Sequence, residues 1–252
     1  MKDLNNYFNE GLSGKRVLIT GGSTGIGREI TLTLASFGAK CLICGRHQEQ
    51  LDETVAAAEA SSSSGTVTAV AADLARGEEI ERLFQQVDQQ LGGLDILVNN
   101  AALGYGSVTE GNYQDISYIV QTNLTAYMVC AQQAARRMEA SGFGHIVNIG
   151  SMSADVREEG SSTYVGTKAG IQGFSEALRK EINPKNIKVS LIEPGAVDTD
   201  MQPGNADNKQ QQISKQEMIP AEDIAIAVAF CLAQHDRCDI VRMQIRPHLQ
   251  LI

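Results

Sequence analysis

At 252 residues, 42% of them hydrophobic and 20% charged, the chain has the composition of an ordinary globular protein with material for a sizeable core. Its formal net charge of -9 argues against a binder of the nucleic-acid backbone, which would carry a basic stripe; the pairs Arg136-Arg137 and Arg179-Lys180 are too sparse to supply one. No apolar run reaches the roughly eighteen residues of a membrane span, and the N-terminus lacks the apolar segment of a secretory signal, so a cytoplasmic protein with reduced cysteines is expected.

Short, nearly continuous apolar runs alternate with longer helical patterns. In chain order they predict a strand at 16–20, a helix at 27–37, a strand at 40–44, a helix at 48–60, a strand at 66–71 and a helix at 78–91. A strand at 94–99, a long helix at 113–140, a strand at 145–149, a helix at 164–182, a strand at 187–192 and a helix at 221–234 follow. Strands apolar on both faces belong to a parallel sheet covered by helices. The expected fold class is therefore α/β: a doubly wound parallel sheet with helices on both faces, forming a single domain over 1–252.

Between these elements, 61–65 reads as a flexible connection. The segments 152–163 and 197–220 read as irregular, and both follow the carboxyl ends of strands, where ligands bind in open α/β sheets. The second is long enough for a substrate loop. Cys41 and Cys44 match a C-x-x-C pattern but sit three apart in a strand, on opposite faces, and read as core. His235 and Cys238 lack two further ligands at zinc spacing, so no metal site is expected.

The first strand runs into Thr20-Gly21-Gly22-Ser23-Thr24-Gly25-Ile26-Gly27 and then directly into a helix. Gly21, Gly25 and Gly27 permit a tight turn and close backbone approach, leaving the helix N-terminus to face a pyrophosphate. Further along, Tyr164 and Lys168 lie four apart on a predicted helix, where an ammonium can perturb a phenol.

The pattern Thr-Gly-x-x-x-Gly-x-Gly at 20–27, Asn99-Asn100-Ala101, Ser151, Tyr164-x-x-x-Lys168 and Pro194-Gly195 resembles, in order and spacing, the short-chain dehydrogenase/reductase family. The resemblance covers about residues 14–199, and Ala102 departs from it where most relatives have glycine. It implies a Rossmann-like fold, a nicotinamide dinucleotide cofactor and commonly a homotetramer. By the same resemblance, Asp73 and Leu74 border the adenine and Asn100 and Ala101 the adenosine side. Val197 and Thr199, following Pro194-Gly195, border the nicotinamide amide.

At the end of the second strand, Cys44-Gly45-Arg46-His47 offers no carboxylate for ribose hydroxyls, and Arg46 could grip a phosphate through two parallel hydrogen bonds. NADP is therefore expected over NAD. Tyr164 is the expected acid/base, its pKa lowered by Lys168, which also holds the nicotinamide ribose. By the same resemblance, Ser151 would donate to the substrate oxygen, and Asn123, in the long fourth helix where the family places a catalytic asparagine, would hold a water linking Lys168 to solvent.

The expected activity is hydride transfer between NADP(H) and a small carbonyl or secondary alcohol, as a carbonyl reductase or an alcohol or hydroxy-acid dehydrogenase. The alternatives are a 3-oxoacyl acyl-carrier-protein reductase and a non-catalytic dinucleotide-binding sensor. Against the first, the loops are mixed or acidic, and the ending Ile245-Arg246-Pro247-His248-Leu249-Gln250 looks more like relatives acting on small hydroxy acids.

Overall fold

A computed structural model describes residues 4–61, 64–202 and 204–250. Positions 62–63 of the expected connection, position 203 of the expected substrate loop and the extreme ends of the expected domain lie outside the described residues. Seven strands form one sheet in the order β3-β2-β1-β4-β5-β6-β7. They are β1 (Arg16–Thr20), β2 (Lys40–Gly45), β3 (Thr66–Ala71), β4 (Ile96–Asn99), β5 (Gly144–Ile149), β6 (Ile187–Pro194) and β7 (Arg242–Ile245), and every pairing is parallel. Val17 of β1 sits opposite Cys41 of β2 on one side and Ile96 of β4 on the other. The chain thus reverses its winding direction between β1 and β4, which opens a crevice at the carboxyl ends of those strands.

The predicted doubly wound sheet is present. One apolar layer joins Val17, Ile19, Cys41 and Ile43 to Ile30 and Leu34 of α2 (Gly25–Ser36) and to Ile224 and Val228 of α10 (Ala221–Leu232). The opposite layer joins Leu18, Leu42, Cys44 and Leu97 to Leu83 of α4 (Gly77–Leu91) and Cys130 of α6 (Ala126–Ser141). Cys41 and Cys44 fall in different layers, as alternation along a strand requires. Burial pushes both thiols up to about 12, so they act as small apolar side chains.

α1 and β7 are among the elements absent from the sequence reading. α1 (Leu4–Leu12) is asparagine-rich, so its pattern is weak, but Phe8 stacks on Phe37 with ring centroids 5.0 Å apart. β7 is four residues long with alternating exposure, and it pairs with β6 at the sheet edge. α3 (Gln48–Ala60) is placed as predicted. α8 begins two residues earlier than predicted (Ser162–Ile182), and α10 ends two earlier.

The predicted helix at 113–140 is not continuous. It consists of α5 (Tyr113–Val120), one turn of π-helix (Gln121–Thr125) and α6. Asn123, in that turn, receives a hydrogen bond from the Leu103 backbone N–H and donates one to the Leu103 carbonyl, both at 2.8 Å. A side chain recruited by a neighbouring segment is one way a helix acquires a wide turn. The two irregular segments also contain helix: α7 (Ser153–Val156) in the first, α9 (Ala206–Ser214) in the second. Asn205 caps α9 by accepting from the Asn208 N–H at 2.9 Å.

β7 is also held by charge. The Glu193 side chain is completely buried and accepts from Gln172 at 2.6 Å, from Gln244 at 3.3 Å and from the Arg242 guanidinium, which also pairs with Asp155. Removing Arg242 would leave a buried carboxylate without its cation. Arg242→Ala is expected to lower unfolding stability by ~1–3 kcal/mol, with part of it recovered on adding Glu193→Gln; urea unfolding of the two variants checks this.

Candidate functional site

A cleft of about 790 Å³ lies at the carboxyl ends of the central strands. Its floor is the glycine turn between β1 and α2. Thr20 Oγ1 accepts from the backbone N–H groups of Asn100 (2.9 Å) and Ala101 (3.1 Å), while the Asn100 amide donates to the Thr20 and Gly21 carbonyls, both at 3.0 Å. The end of β4 thereby fixes the turn. Gly25 has φ +51, a conformation that favours glycine, and its missing Cβ would meet Thr199 of the loop after β6 at 3.0 Å. A methyl at Gly27 would overlap the Gly21 carbonyl, so that glycine allows α2 to pack down on the turn.

Of the turn residues, Gly21, Ser23, Thr24, Gly25 and Ile26 line the cleft. Gly22 instead faces Ile43, and Gly27 lies beneath the turn. Thr24 is the N-cap of α2 but makes no side-chain cap, so the first-turn N–H groups have no side-chain acceptor from it. Another unsatisfied group borders the same space: the buried hydroxyl of Thr122 has no hydrogen-bond partner among the described residues. The donor set suits an anionic, oxygen-rich ligand.

At one end of the cleft stand Arg46, His47, Asp73 and Leu74. The exposed Arg46 guanidinium donates to the Tyr118 hydroxyl at 3.2 Å, and that hydroxyl donates to the Asp73 carboxylate at 3.1 Å. Tyr118 comes from α5, and only the folded chain brings it between these two side chains.

At the other end, Ser151 lies just beyond β5, and Tyr164 and Lys168 lie one turn apart on α8. Lys168 is 2% exposed; its ammonium donates to the Ile149 carbonyl at 2.9 Å and sits 5.7 Å from the centroids of the Tyr164 and Tyr127 rings. Desolvation lowers its pKa to about 7. The Ser151 side chain is near enough to the Tyr164 phenol to favour its ionised form. The phenol lies above the usual value because burial outweighs that effect, with the Glu158 charge adding to the rise. This corrects the expected direction: within the chain itself, the phenol is raised.

Pro194, Gly195, Val197 and Thr199 line the same cleft, as do Asn100, Ala101 and Ala102. Asn123 does not. It is fully buried, its amide committed to Leu103 and, at 3.5 Å, to Thr167, so it acts on the cleft through the 103–105 segment rather than by facing it. The sequence reading missed Tyr118, Thr122, Glu158 and Gln250. Gln250 accepts from the Ala196 N–H at 3.0 Å and brings the C-terminal tail to the rim. None of these four belongs to a local motif. No described helix is long and apolar enough to cross a membrane.

Comparison with known proteins places this arrangement. The family described as short chain dehydrogenase matches residues 15–210. The 3-oxoacyl acyl-carrier-protein reductase of Haemophilus influenzae is 35% identical over 230 residues, covering 89% of this chain and 93% of that protein. A short chain dehydrogenase from Burkholderia cenocepacia, solved in complex with NADP, has a TM-score of 0.83 at 34% identity, covering 94% of this chain and 98% of that one. A 7 alpha-hydroxysteroid dehydrogenase, solved with NADH and 7-oxo glycochenodeoxycholic acid, has a TM-score of 0.87 at 26% identity, covering 98% of both chains. The family match over most of the chain, joined to the shared sheet and the glycine turn, identifies this protein as an oxidoreductase of the short-chain dehydrogenase/reductase family.

Proposed function

We propose that this oxidoreductase transfers a hydride between NADP(H) and a carbonyl or secondary alcohol. The observation that carries the reading is the convergence of Ser151, Tyr164 and the buried Lys168 at one end of a cleft floored by an uncapped helix N-terminus. A nicotinamide dinucleotide fits this donor set and would supply the hydride donor or acceptor.

The roles of the chain's own groups follow from chemistry. The backbone of Gly21, Ser23, Thr24, Gly25 and Ile26 holds the pyrophosphate, with Gly22 and Gly27 shaping the turn from beneath. Asp73 and Leu74 flank the adenine, Asn100 and Ala101 the adenosine side, and Pro194, Gly195, Val197 and Thr199 the nicotinamide. Lys168 spends one N–H on Ile149, leaving others for the ribose hydroxyls. Ser151 donates to the substrate oxygen. Tyr164, with its pKa raised, keeps its proton at neutral pH and delivers it to the oxygen as the carbonyl is reduced. Alcohol oxidation needs the phenolate and is expected at higher pH. Asn123 orders the 103–105 wall and the π turn, from which a water could reach Lys168.

NADP is preferred because Arg46 and His47 stand at the adenosine end and no carboxylate stands at 45 or 47; similar structures hold NADP in more than one case and NADH in another, so Arg46 is what supports the preference. A 3-oxoacyl acyl-carrier-protein reductase is the second reading, favoured by the 35% identical relative. A binding-only sensor would have no use for an ammonium held in a dry site beside a phenol.

Consumption of NADPH absorbance over a panel of ketones, aldehydes and a 3-oxoacyl thioester tests the reaction. Tyr164→Phe should cut turnover at least ~100-fold while NADPH affinity stays near wild type, and near-normal turnover would refute the role.

Cofactor choice is tested by dissociation constants for NADPH and NADH at fixed salt. Arg46→Ala should narrow the preference for NADPH about tenfold, the equivalent of ~1.4 kcal/mol, and Tyr118→Phe, which frees Arg46 from its anchor, should narrow it by less. Equal weakening of both cofactors by Arg46→Ala would make NADP the wrong assignment.

Lys168 has a signature in stability. Between about 7 and the usual 10.5, the unfolded chain binds a proton that folded Lys168 does not, so wild-type stability gains from rising pH across that window. Relative to Lys168→Met, the wild type should therefore become more stable from pH 7 to 10 in parallel urea titrations. A constant difference would mean that Lys168 is not held neutral.

A further inference from the structure

The two ends of the cleft differ in charge. The adenosine end presents Arg46 and His47 beside the single carboxylate of Asp73, which is engaged by Tyr118, whereas the end bordered by Ser151 and Tyr164 presents the carboxylates of Glu158 and Asp200. Apart from buried Lys168, no lysine, arginine or histidine among the described residues lines that second end. The cations nearest in sequence are engaged elsewhere. Lys209 donates to the Thr199 carbonyl at 2.8 Å and pairs with Asp198 at 3.4 Å. Arg157 turns back to the Ala154 carbonyl, Arg246 to the Gln250 carbonyl, and Arg242 is held by Glu193 and Asp155.

Glu158 is exposed and is tied to the segment that carries Ser151 by one hydrogen bond. Its carboxylate accepts from the Ser153 hydroxyl at 3.0 Å, two residues from Ser151, and its charge is felt at the Tyr164 phenol. The lining of the cleft also includes the apolar Leu103, Met152, Val156 and Met201, interspersed with the polar Ser153, Ser161 and Gln202. A substrate seated with its oxygen at Ser151 and Tyr164 thus shares its end of the cleft with carboxylates and with no exposed cation among the described residues. A carboxylate on that substrate would find no partner and one repelling neighbour.

We propose that the substrate is a compact carbonyl or secondary alcohol bearing a positive charge, an amino ketone or amino alcohol, and that Glu158 selects it by pairing with its ammonium. Asp200 adds to the field from the loop after β6. This rests on the reductase reading above and narrows it away from hydroxy acids and from acyl groups delivered by an acidic carrier protein.

The test is a set of three ketones with one carbon skeleton, ending in an ammonium, a hydroxyl or a carboxylate, assayed with NADPH at low and high salt. Wild type should favour the ammonium over the hydroxyl member about tenfold or more in kcat/KM, through KM, with the carboxylate last and the preference shrinking as salt rises. Glu158→Gln should remove most of that ratio, and Glu158→Lys should shift preference toward the carboxylate. Calorimetric binding of the three corresponding alcohols should follow the same order. Equal use of the ammonium and hydroxyl members, or a ratio untouched by both Glu158→Gln and Asp200→Asn, overturns the charge assignment and leaves the reductase reading standing. If NADPH binds and no member of this set or of the wider carbonyl panel is reduced, both fall.

Discussion

The arrangement of this site depends on holding an ammonium in a place from which water is almost excluded. Lys168 is buried between β5 and α8 with the Ile149 carbonyl as its anchor and two aromatic rings nearby. Burial weakens the charge, since its pKa falls to about 7, and that makes the side chain responsive to what enters the cleft. An ammonium near its titration point is stabilised by any ligand that offers oxygen acceptors or negative charge. Desolvation also raises the Tyr164 phenol, so burial moves both members of the pair toward their neutral forms.

Around that pair the fold supplies rigidity through buried polar side chains rather than through apolar packing alone. Asn99 donates to the Tyr127 carbonyl at 3.2 Å and to Asn148 at 3.0 Å, and Asn148 donates to Ser175 of α8 at 2.9 Å. This chain of amides ties β4, β5, α6 and α8 together directly beneath the site. The Asn123–Leu103 pair does the same for the wall opposite Tyr164. The donors of this network are paired, although Asn99 Oδ1 has no partner among the described residues, and a shift of any of these elements would leave further buried groups unpaired.

The charge pattern of the cleft follows its topology. The sheet reverses between β1 and β4, so the cleft runs from the tip of β2, which carries Arg46, to the segments after β5 and β6, which carry Glu158 and Asp200. One ligand lying along that line would meet Arg46 together with Asp73 at one end and only carboxylates among the exposed charges at the other. In a protein with a net charge of -9, Arg46 thus stands apart from Glu158 and Asp200, with Asp73 as the carboxylate nearest to it through Tyr118.

Sequence by itself determined the parallel sheet, because strands buried on both faces must be apolar throughout, as in 40–44 and 145–149. It also determined the glycine turn and the pairing of Tyr164 with Lys168, whose spacing along one strand–turn–helix and one helix face is itself the geometry, while Ser151 was legible only through the family resemblance. Other features were decided only when distant segments met. β7 is too short and too alternating to stand out until Arg242 and Gln244 reach Glu193. The break in the 113–140 helix depends on Leu103, twenty residues away, and the link from Arg46 to Asp73 depends on Tyr118 of α5. The direction of the Tyr164 shift also lay beyond the sequence. A neighbouring lysine can be read from spacing, but desolvation is set by everything packed around the phenol, and here it outweighs the effect of Ser151, which opposes it.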